Sequence, residues 1–289
     1  MTSPRPTTRC TCPEPDYPLL TVNGVRFALL TPRALLGRIA RMTACPLSHI
    51  VNPLDSYSTV VARKDPDVLR ALNAADLNVA DGMGVVWACR LMTRQRDVCQ
   101  LPGPDLLRTV PRLGVSLGIR HAVVGANWTT LRRLRERIIE DAPGVRVIGA
   151  YAPPFRAIYP EGVAEDLSHL PELPDIIWVG LGTPKQQLWA HLATGLVSGV
   201  TFITVGAAFD YVAGIKRQAP RVLRRASLEW AYNAMTQPRR RGYRETVGNA
   251  IFSWQVHDDV VRGIRSSSDP IGGRSRPEAG APEKGHLRT

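Results

Sequence analysis

The chain has 289 residues, is 44% hydrophobic and carries a formal net charge of +12 with a pI near 10.1. The length suits one large globular domain or two small ones, and the charge favours an anionic partner such as nucleic acid, an anionic membrane or a phosphorylated substrate, although a basic chain without any such partner is an equally simple explanation. We expect no signal peptide or membrane-spanning helix, and five cysteines without paired spacing argue against disulfides and for a reducing compartment.

Apolar runs alternate with helical patterns along the middle of the chain. We predict disorder at residues 1–18 and 266–289, which are rich in proline and polar residues. Between them, an Asn-Gly turn predicts a hairpin, and buried strands are predicted at LSHIVN, DLNVA, HAVVGA, VRVIGA, DIIWVG and VTFITVG. Helical patterns separate most of them. This alternation predicts an α/β domain over 19–215, a Rossmann-like, mostly parallel sheet with flanking helices that binds ligands beyond the carboxyl ends of its strands.

Residues 216–265 are predicted to form a basic α-helical appendage. They contain eleven basic and four acidic residues, so more than half of the net charge is concentrated there. The last helix would carry an apolar side made of Tyr243, Val247, Ile251, Trp254 and Val261. This pattern is typical of a segment lying on an anionic membrane. Two helices that pack on the core and leave their arginines in solvent would explain it equally well.

Asp81 is the first candidate for chemistry, because it follows the predicted strand DLNVA and is flanked by Gly82 and Gly84. A carboxylate at a strand end, with glycines that let a ligand approach the backbone, suits a general base or a ligand of sugar hydroxyls. An aspartate that merely caps a helix is the alternative.

A second candidate is the loop of VGLGTPKQQLW. Gly180 and Gly182 would expose backbone amides, Thr183 offers a hydroxyl, and Gln186 offers both a donor and an acceptor. This set suits a neutral ligand with several hydrogen bonds beside a diphosphate, such as uracil or a sugar. The loop matches neither the P-loop nor the dinucleotide-binding fingerprint, which disfavours a Rossmann-like oxidoreductase.

Two further strand ends are weaker candidates. Gly125 closes a strand before a helix whose N-terminal amides could hold a phosphate. Asp210 follows the strand VTFITVG and could bind ribose or sugar hydroxyls, or cap a helix. The six histidines lack metal-ligand spacing, so we expect no metal site.

Taken in order, these segments resemble the WecG/TagA/CpsF glycosyltransferases, glycosyltransferase family 26, from about residue 19 to 262. The resemblance rests on RKDPDVLRALNAADLNVADGMGVVW, GPDLL, VVGA, VGLGTPKQQLW, VGAAFDYVAG, APRVLRRASLEWAY and QPRRRGYR. It implies an inverting, metal-independent enzyme that moves a hexosyl unit, often N-acetylmannosamine or its uronic acid, from UDP to a polyprenyl-diphosphate-linked sugar. Such enzymes act at the cytoplasmic face of the bacterial membrane, in cell-surface polysaccharide synthesis.

The resemblance also implies roles for particular residues. Asp81 matches the proposed general base, and Gln186 matches the glutamine of a G-x-P-x-Q-E loop at the nucleotide-sugar site. Either Asn52 or Asp55 takes the place of a family asparagine. The arginines matching the part of the family that reaches the membrane and the acceptor diphosphate are Arg217, Arg221, Arg239, Arg240 and Arg244.

The chain departs from the family pattern at three further positions. Gln187 stands where a glutamate is usual, Gln218 where an arginine is usual, and Asn233 where an arginine usually follows the tyrosine. These differences leave open a member of the family that binds its ligands without turnover. The high pI by itself also allows a nucleic-acid-binding α/β protein, although the basic segment lacks interleaved aromatic residues and we expect no nucleic acid partner.

Overall fold

A computed structural model of the chain describes residues 17–220 and 243–261, with 222, 223, 232 and 235 between them. It contains a small antiparallel hairpin and a six-stranded parallel sheet, so the predicted α/β class is confirmed. The strands are β1 Leu19–Val22, β2 Val25–Ala28, β3 His49–Leu54, β4 Leu77–Ala80, β5 Arg120–Gly125, β6 Arg146–Tyr151, β7 Ile176–Gly180 and β8 Thr201–Thr204.

Helices connect the strands and cover both faces of the sheet. The helices of the described residues are α1 Pro32–Thr43, α2 Ser56–Lys64, α3 Pro66–Ala74, α4 Met83–Thr93, α5 Gly103–Leu117, α6 Trp128–Asp141, α7 Pro160–Ser168, α8 Lys185–Leu196, α9 Ala208–Val212 and α10 Tyr243–Val261. Several begin at a capping side chain that accepts a backbone N–H, among them α1 at Thr31, α2 at Asp55 and α6 at Asn127.

The large sheet has the strand order β4-β3-β8-β7-β5-β6. Every residue of β3, β4 and β8 is buried, as expected for parallel strands covered on both faces, although β4 is an edge strand of this sheet. From β3 the chain first builds outward to β4, and its later strands then fill the other side of β3. The carboxyl ends of the parallel strands β3, β4, β7 and β8 lie at one edge of this sheet, and open α/β sheets bind ligands beyond that edge.

The ends of the described region differ in part from the sequence prediction. Tyr17 and Pro18 fall within the predicted disordered segment, yet Tyr17 packs on the core and Pro18 accepts a backbone hydrogen bond of 2.9 Å from Leu29. Residues 1–16 and 262–289 lie outside the described residues.

Cys45 is disulfide-bonded, so the prediction of no disulfide was wrong at that position, whereas Cys89 and Cys99 are free thiols.

Helix α10 packs on the α/β domain, against α2 and α4. The prediction of an apolar side on α10 was wrong in part, because Trp254 and Val261 are 65% and 68% exposed. The buried face instead combines apolar Phe252 and Val256 with polar Gln255 and Asp259.

Side-chain hydrogen bonds to the core explain why polar residues occupy that face. Asn23, in the hairpin turn, donates to Gln255 Oε1 at 2.9 Å. Arg63 of α2 donates to both carboxylate oxygens of Asp259, at 3.1 and 3.2 Å. A buried polar group must find a partner, so these pairs specify how α10 is seated.

Candidate active site

A cleft of about 1200 Å³ opens at the carboxyl ends of β3, β4, β7 and β8. The loop after each of these strands contributes to its lining, and α10 adds a wall of its own. The predicted site residues on this lining are Asp55, Asp81, Gly82, Gly182, Thr183 and Gln186. These six residues extend from position 55 to position 186 of the chain, and the fold brings them together.

Asp81 occupies a turn whose backbone is held from two sides. Its N–H donates to the carbonyl of Leu54, the last residue of β3, at 2.9 Å, and Gln100 Nε2 donates to its carbonyl. The main chain that carries the Asp81 side chain is therefore held in place, and Asp81 lines the cleft. Gly82 follows at the start of α4, where a Cβ would lie 3.3 Å from the Asp55 Cβ. A side chain at position 82 would crowd Asp55, so the glycine lets the two loops touch.

Asp55 begins a short hydrogen-bonded series along the cleft. Its Oδ1 accepts from the N–H and the hydroxyl of Ser58, at 2.9 and 2.7 Å. The Ser58 hydroxyl lies 3.4 Å from the Thr183 hydroxyl, which belongs to the loop after β7. Gln187 completes the series from α8, with its Nε2 at 3.5 Å from the Thr183 hydroxyl. Ser58 was not predicted, although its position three residues after a capping aspartate is a recognisable signal.

Gln186 carries a buried acceptor that lines the cleft. Its side chain is 4% exposed, and its Oε1 has no hydrogen-bond partner among the described residues. A Cβ added at Gly206 would lie 3.1 Å from that oxygen, so the glycine keeps the space beside it open. Leaving a buried carbonyl oxygen without a donor is costly. The geometry therefore suits a ligand N–H or O–H at this point.

The other predicted glycines serve packing. A Cβ at Gly125 would lie 2.5 Å from the backbone of Gly180, and a Cβ at Gly180 would lie 2.4 Å from the ring of Phe209. Both residues border the β5–β7 pair, and neither is on the cleft lining. The close approach of two backbones and an aromatic ring explains why glycine occupies both positions.

Asn52 and Asp210 also lie away from the cleft lining. Asn52 is 1% exposed inside the sheet, where it donates to Asn78 Oδ1 at 3.0 Å and accepts from Thr204 Oγ1 at 2.6 Å. Asp210 forms an ion pair with Lys216, and its carbonyl accepts the backbone N–H of Lys216 at 3.0 Å. Of the two candidates for the family asparagine, Asp55 is therefore the one on the cleft.

The predicted arginines fall mostly outside the described residues. The structure does not describe Arg221, Arg239 and Arg240. The backbone of Arg244 belongs to α10, but its side chain is outside the described part of the chain. Arg217 is described and exposed, and it is not on the cleft lining. Among the three departures from the family pattern, Gln218 lines the cleft, Gln187 is buried behind Thr183, and Asn233 lies outside the described residues.

The wall made by α4 and α10 was missed by sequence reasoning. It contributes Trp87 and Leu91 from α4, and Phe252, Val256 and Val260 from α10. The cleft thus has hydroxyl, amide and carboxylate groups along its strand ends and an apolar wall between two helices. Behind that wall, burial raises the pKa of the Cys89 thiol to about 12, which keeps it protonated.

Among the described residues, no group of three or more His, Cys, Asp or Glu side chains is arranged as metal ligands would be. Within the same part of the chain, the helices are all too short or too polar to cross a bilayer.

Comparison with known proteins identifies the family of this chain. The model of the glycosyl transferase WecG/TagA/CpsF family matches residues 20–266, which is most of the chain. The chain belongs to this family, and it is a glycosyltransferase of the hexosyl-transferring kind.

Two relatives are named N-acetylglucosaminyldiphosphoundecaprenol N-acetyl-β-D-mannosaminyltransferase. The one from Bacillus spizizenii is 27% identical over 184 residues, which cover 62% of this chain and 68% of the relative. The one from Bacillus subtilis strain 168 is 26% identical over 193 residues, covering 65% and 70% of the two chains.

Proposed function

We propose that this protein transfers an N-acetylhexosaminyl unit, N-acetylmannosamine or its uronic acid, from UDP to a polyprenyl-diphosphate-linked sugar, with inversion and without a metal. The observation that carries the proposal is Asp81, a carboxylate held on a fixed turn at the cleft, beside Asp55 and in the same cleft as the buried acceptor of Gln186. Family membership and the names of the two relatives support the substrate class.

The proposed transfer reaction requires one general base. In a single displacement, an acceptor hydroxyl oxygen attacks the anomeric carbon as the bond from that carbon to the UDP oxygen breaks. The electron pair of the broken bond leaves with UDP, and the hydroxyl proton moves to the Asp81 carboxylate. Attack on the face opposite the leaving group inverts the anomeric centre. A positioned carboxylate of this kind typically accelerates transfer by about 10²–10⁴-fold.

The remaining polar groups suit the donor. Gln186 Oε1 would accept a uracil N–H or a sugar hydroxyl, and the Thr183 hydroxyl stands one turn before it in the same cleft. The leaving diphosphate needs positive charge, which a guanidinium supplies well because it binds phosphate oxygens in pairs and stays protonated. We assign that role to Arg217 and to the arginines of the basic segment, Arg221, Arg239, Arg240 and Arg244.

We further propose that the protein works as a peripheral enzyme at the cytoplasmic face of a bacterial membrane, in the synthesis of cell-surface polysaccharide. A lipid-linked acceptor stays in the bilayer, so its transferase must come to the bilayer surface. The basic segment 216–265 provides electrostatic attraction to anionic lipid.

The test of the base is a pair of isosteric variants. We expect Asp81→Asn to bind UDP with a Kd within about twofold of the wild type and to lose transfer by about 10²-fold or more. Asp105→Asn is the matched control, because Asp105 also borders the cleft but pairs with Arg108 at 3.5 Å. Transfer is measured with UDP-N-acetylmannosamine and a lipid-diphosphate-linked N-acetylglucosamine. Wild-type rates in Asp81→Asn would remove Asp81 from the role of base.

A thermal-shift panel separates transfer from binding alone. UDP or a UDP-sugar present far above its Kd should stabilise the protein by about 2–4 kcal/mol. Stabilisation without any transfer would identify a member of the family that binds but does not turn over. Stabilisation by a DNA duplex alone would favour nucleic-acid binding, and a loss of transfer on treatment with EDTA would contradict metal independence.

A further inference from the structure

Helix α4 exposes an apolar face at the mouth of the cleft. Its inner residues, such as Val85 and Val86, are fully buried in the core. Trp87 and Leu91 lie one helical turn apart on the other side and are 56% and 65% exposed. Both also line the cleft. An exposed tryptophan and leucine on neighbouring turns form an apolar patch, which usually marks a binding surface.

Two further features extend this patch. Val260 of α10, 43% exposed, lines the same cleft as Trp87 and Leu91. Arg94 follows α4 seven residues after Trp87, and both Arg94 and Arg96 are exposed. Tryptophan, aliphatic residues and adjacent arginines are the combination that enters the headgroup region of an anionic bilayer. We call Trp87, Leu91, Val260 and Arg94 the α4 rim.

From this surface we infer that the α4 rim is a membrane contact on the catalytic domain itself, separate from the basic segment 216–265. It places the mouth of the cleft against the surface of an anionic bilayer. The inference rests on the proposed function. With the mouth of the cleft against the bilayer, a sugar on a polyprenyl diphosphate can enter the cleft while its lipid stays in the membrane. The arginines supply the charge complementarity with anionic lipid, and the continuity of the rim with the cleft supplies the orientation.

The first test measures binding of the full chain to vesicles of equal parts phosphatidylglycerol and phosphatidylcholine. We expect Trp87→Ser/Leu91→Ser to lower the partition coefficient by about tenfold or more, because two apolar side chains no longer enter the lipid. The matched control is Trp128→Ser/Leu173→Ser, which removes residues 59% and 45% exposed that are not on the cleft lining. It should bind within about twofold of the wild type.

A second measurement detects contact directly. Bromine on the acyl chains of phospholipids quenches the fluorescence of tryptophans that enter the bilayer. We expect Trp87→Phe to lose part of the quenching seen in the wild type, whereas Trp128→Phe retains all of it. This readout works even where segment 216–265 dominates the affinity and conceals the loss in partition.

Each outcome decides the inference. Wild-type binding by Trp87→Ser/Leu91→Ser together with unchanged quenching in Trp87→Phe would overturn it. Sedimentation without lipid tests the alternative that a second copy of the chain covers this patch. A wild-type dimer that dissociates in the double variant would make the α4 rim a contact between two copies, and the membrane assignment would be wrong. Vesicle binding requires no sugar transfer, so a wild type that binds vesicles but transfers nothing would refute the proposed function alone.

Discussion

Replacing Thr204 by valine should have opposite effects on stability depending on whether Asn52 is present. In the wild type, the Thr204 hydroxyl donates to Asn52 Oδ1 at 2.6 Å, and both residues are at most 1% exposed. Thr204→Val leaves that oxygen buried without its donor, which costs about 1–3 kcal/mol. In Asn52→Leu the hydroxyl itself has lost its acceptor, so the same replacement should then stabilise the protein by about 1 kcal/mol.

Asn52→Leu alone should be the less stable of the two single variants. It leaves both the Thr204 hydroxyl and Asn78 Oδ1 without the partners they have in the wild type, at 2.6 and 3.0 Å. The gain from burying a leucine offsets part of that cost. The opposite sign of the Thr204→Val effect in the two backgrounds is therefore a sharper signal than either single value.

Urea unfolding of the four proteins, followed by circular dichroism, measures this cycle. An interaction free energy of about 2 kcal/mol or more is expected for residues that share a buried hydrogen bond. Equal effects of Thr204→Val in both backgrounds would show that the hydrogen bond contributes nothing. A UDP Kd weakened about tenfold in Asn52→Leu at unchanged stability would instead return Asn52 to the nucleotide-sugar site.

Three further predictions concern the core and the seating of α10. Gly180→Ala should lower the free energy of unfolding by about 1–3 kcal/mol, because the added Cβ would lie 2.4 Å from the ring of Phe209. Gly195→Ala is the control: its added Cβ would meet nothing within 4 Å, so this variant should be neutral or stabilising in the same urea titration. Burial lowers the pKa of His121 from 6.5 to about 4. The unfolded chain therefore takes up this proton first as the pH falls, so stability should drop by about 3 kcal/mol between pH 6.5 and 4, and His121→Gln should remove that part of the slope. Arg63→Ala breaks the ion pair that ties α2 to α10 and should cost about 1–2 kcal/mol, with faster hydrogen exchange in α10 as the local readout; unchanged exchange would mean that apolar packing alone seats the helix.

The six strands of the sheet were predictable because each is a short apolar run closed by a turn signal. Ile176–Gly180 coincides closely with the predicted run DIIWVG, and His49–Leu54 overlaps the predicted run LSHIVN but begins and ends two residues later. Asp81 and Gln186 were also predicted, since a polar residue just after a buried strand must lie at the carboxyl edge of a parallel sheet. For these elements, local pattern and tertiary position follow from the same periodicity.

The buried face of α10 could not be predicted in this way. Hydrophobic periodicity selected Trp254 and Val261, which are exposed, over Gln255 and Asp259, which are buried. The partners that make burial of Gln255 and Asp259 favourable, Asn23 and Arg63, are about two hundred residues earlier in the chain. A helix whose inward face is held by distant hydrogen bonds has no local signal for that face.

By itself, the sequence determined the α/β class, the strand ends and the family, because these depend on patterns within short segments and on their order. Only the tertiary structure decided that Asp55 reaches the cleft while Asn52 is locked inside the sheet. It also showed that Gly125 and Gly180 lie too close to a neighbouring backbone and ring to accept a side chain, and that α4 and α10 form an apolar wall in the same cleft as Asp81. The physical reason is the same in each case. Whether a polar side chain binds a ligand or another side chain depends on which distant segment lies against it, and that contact exists only in the folded chain.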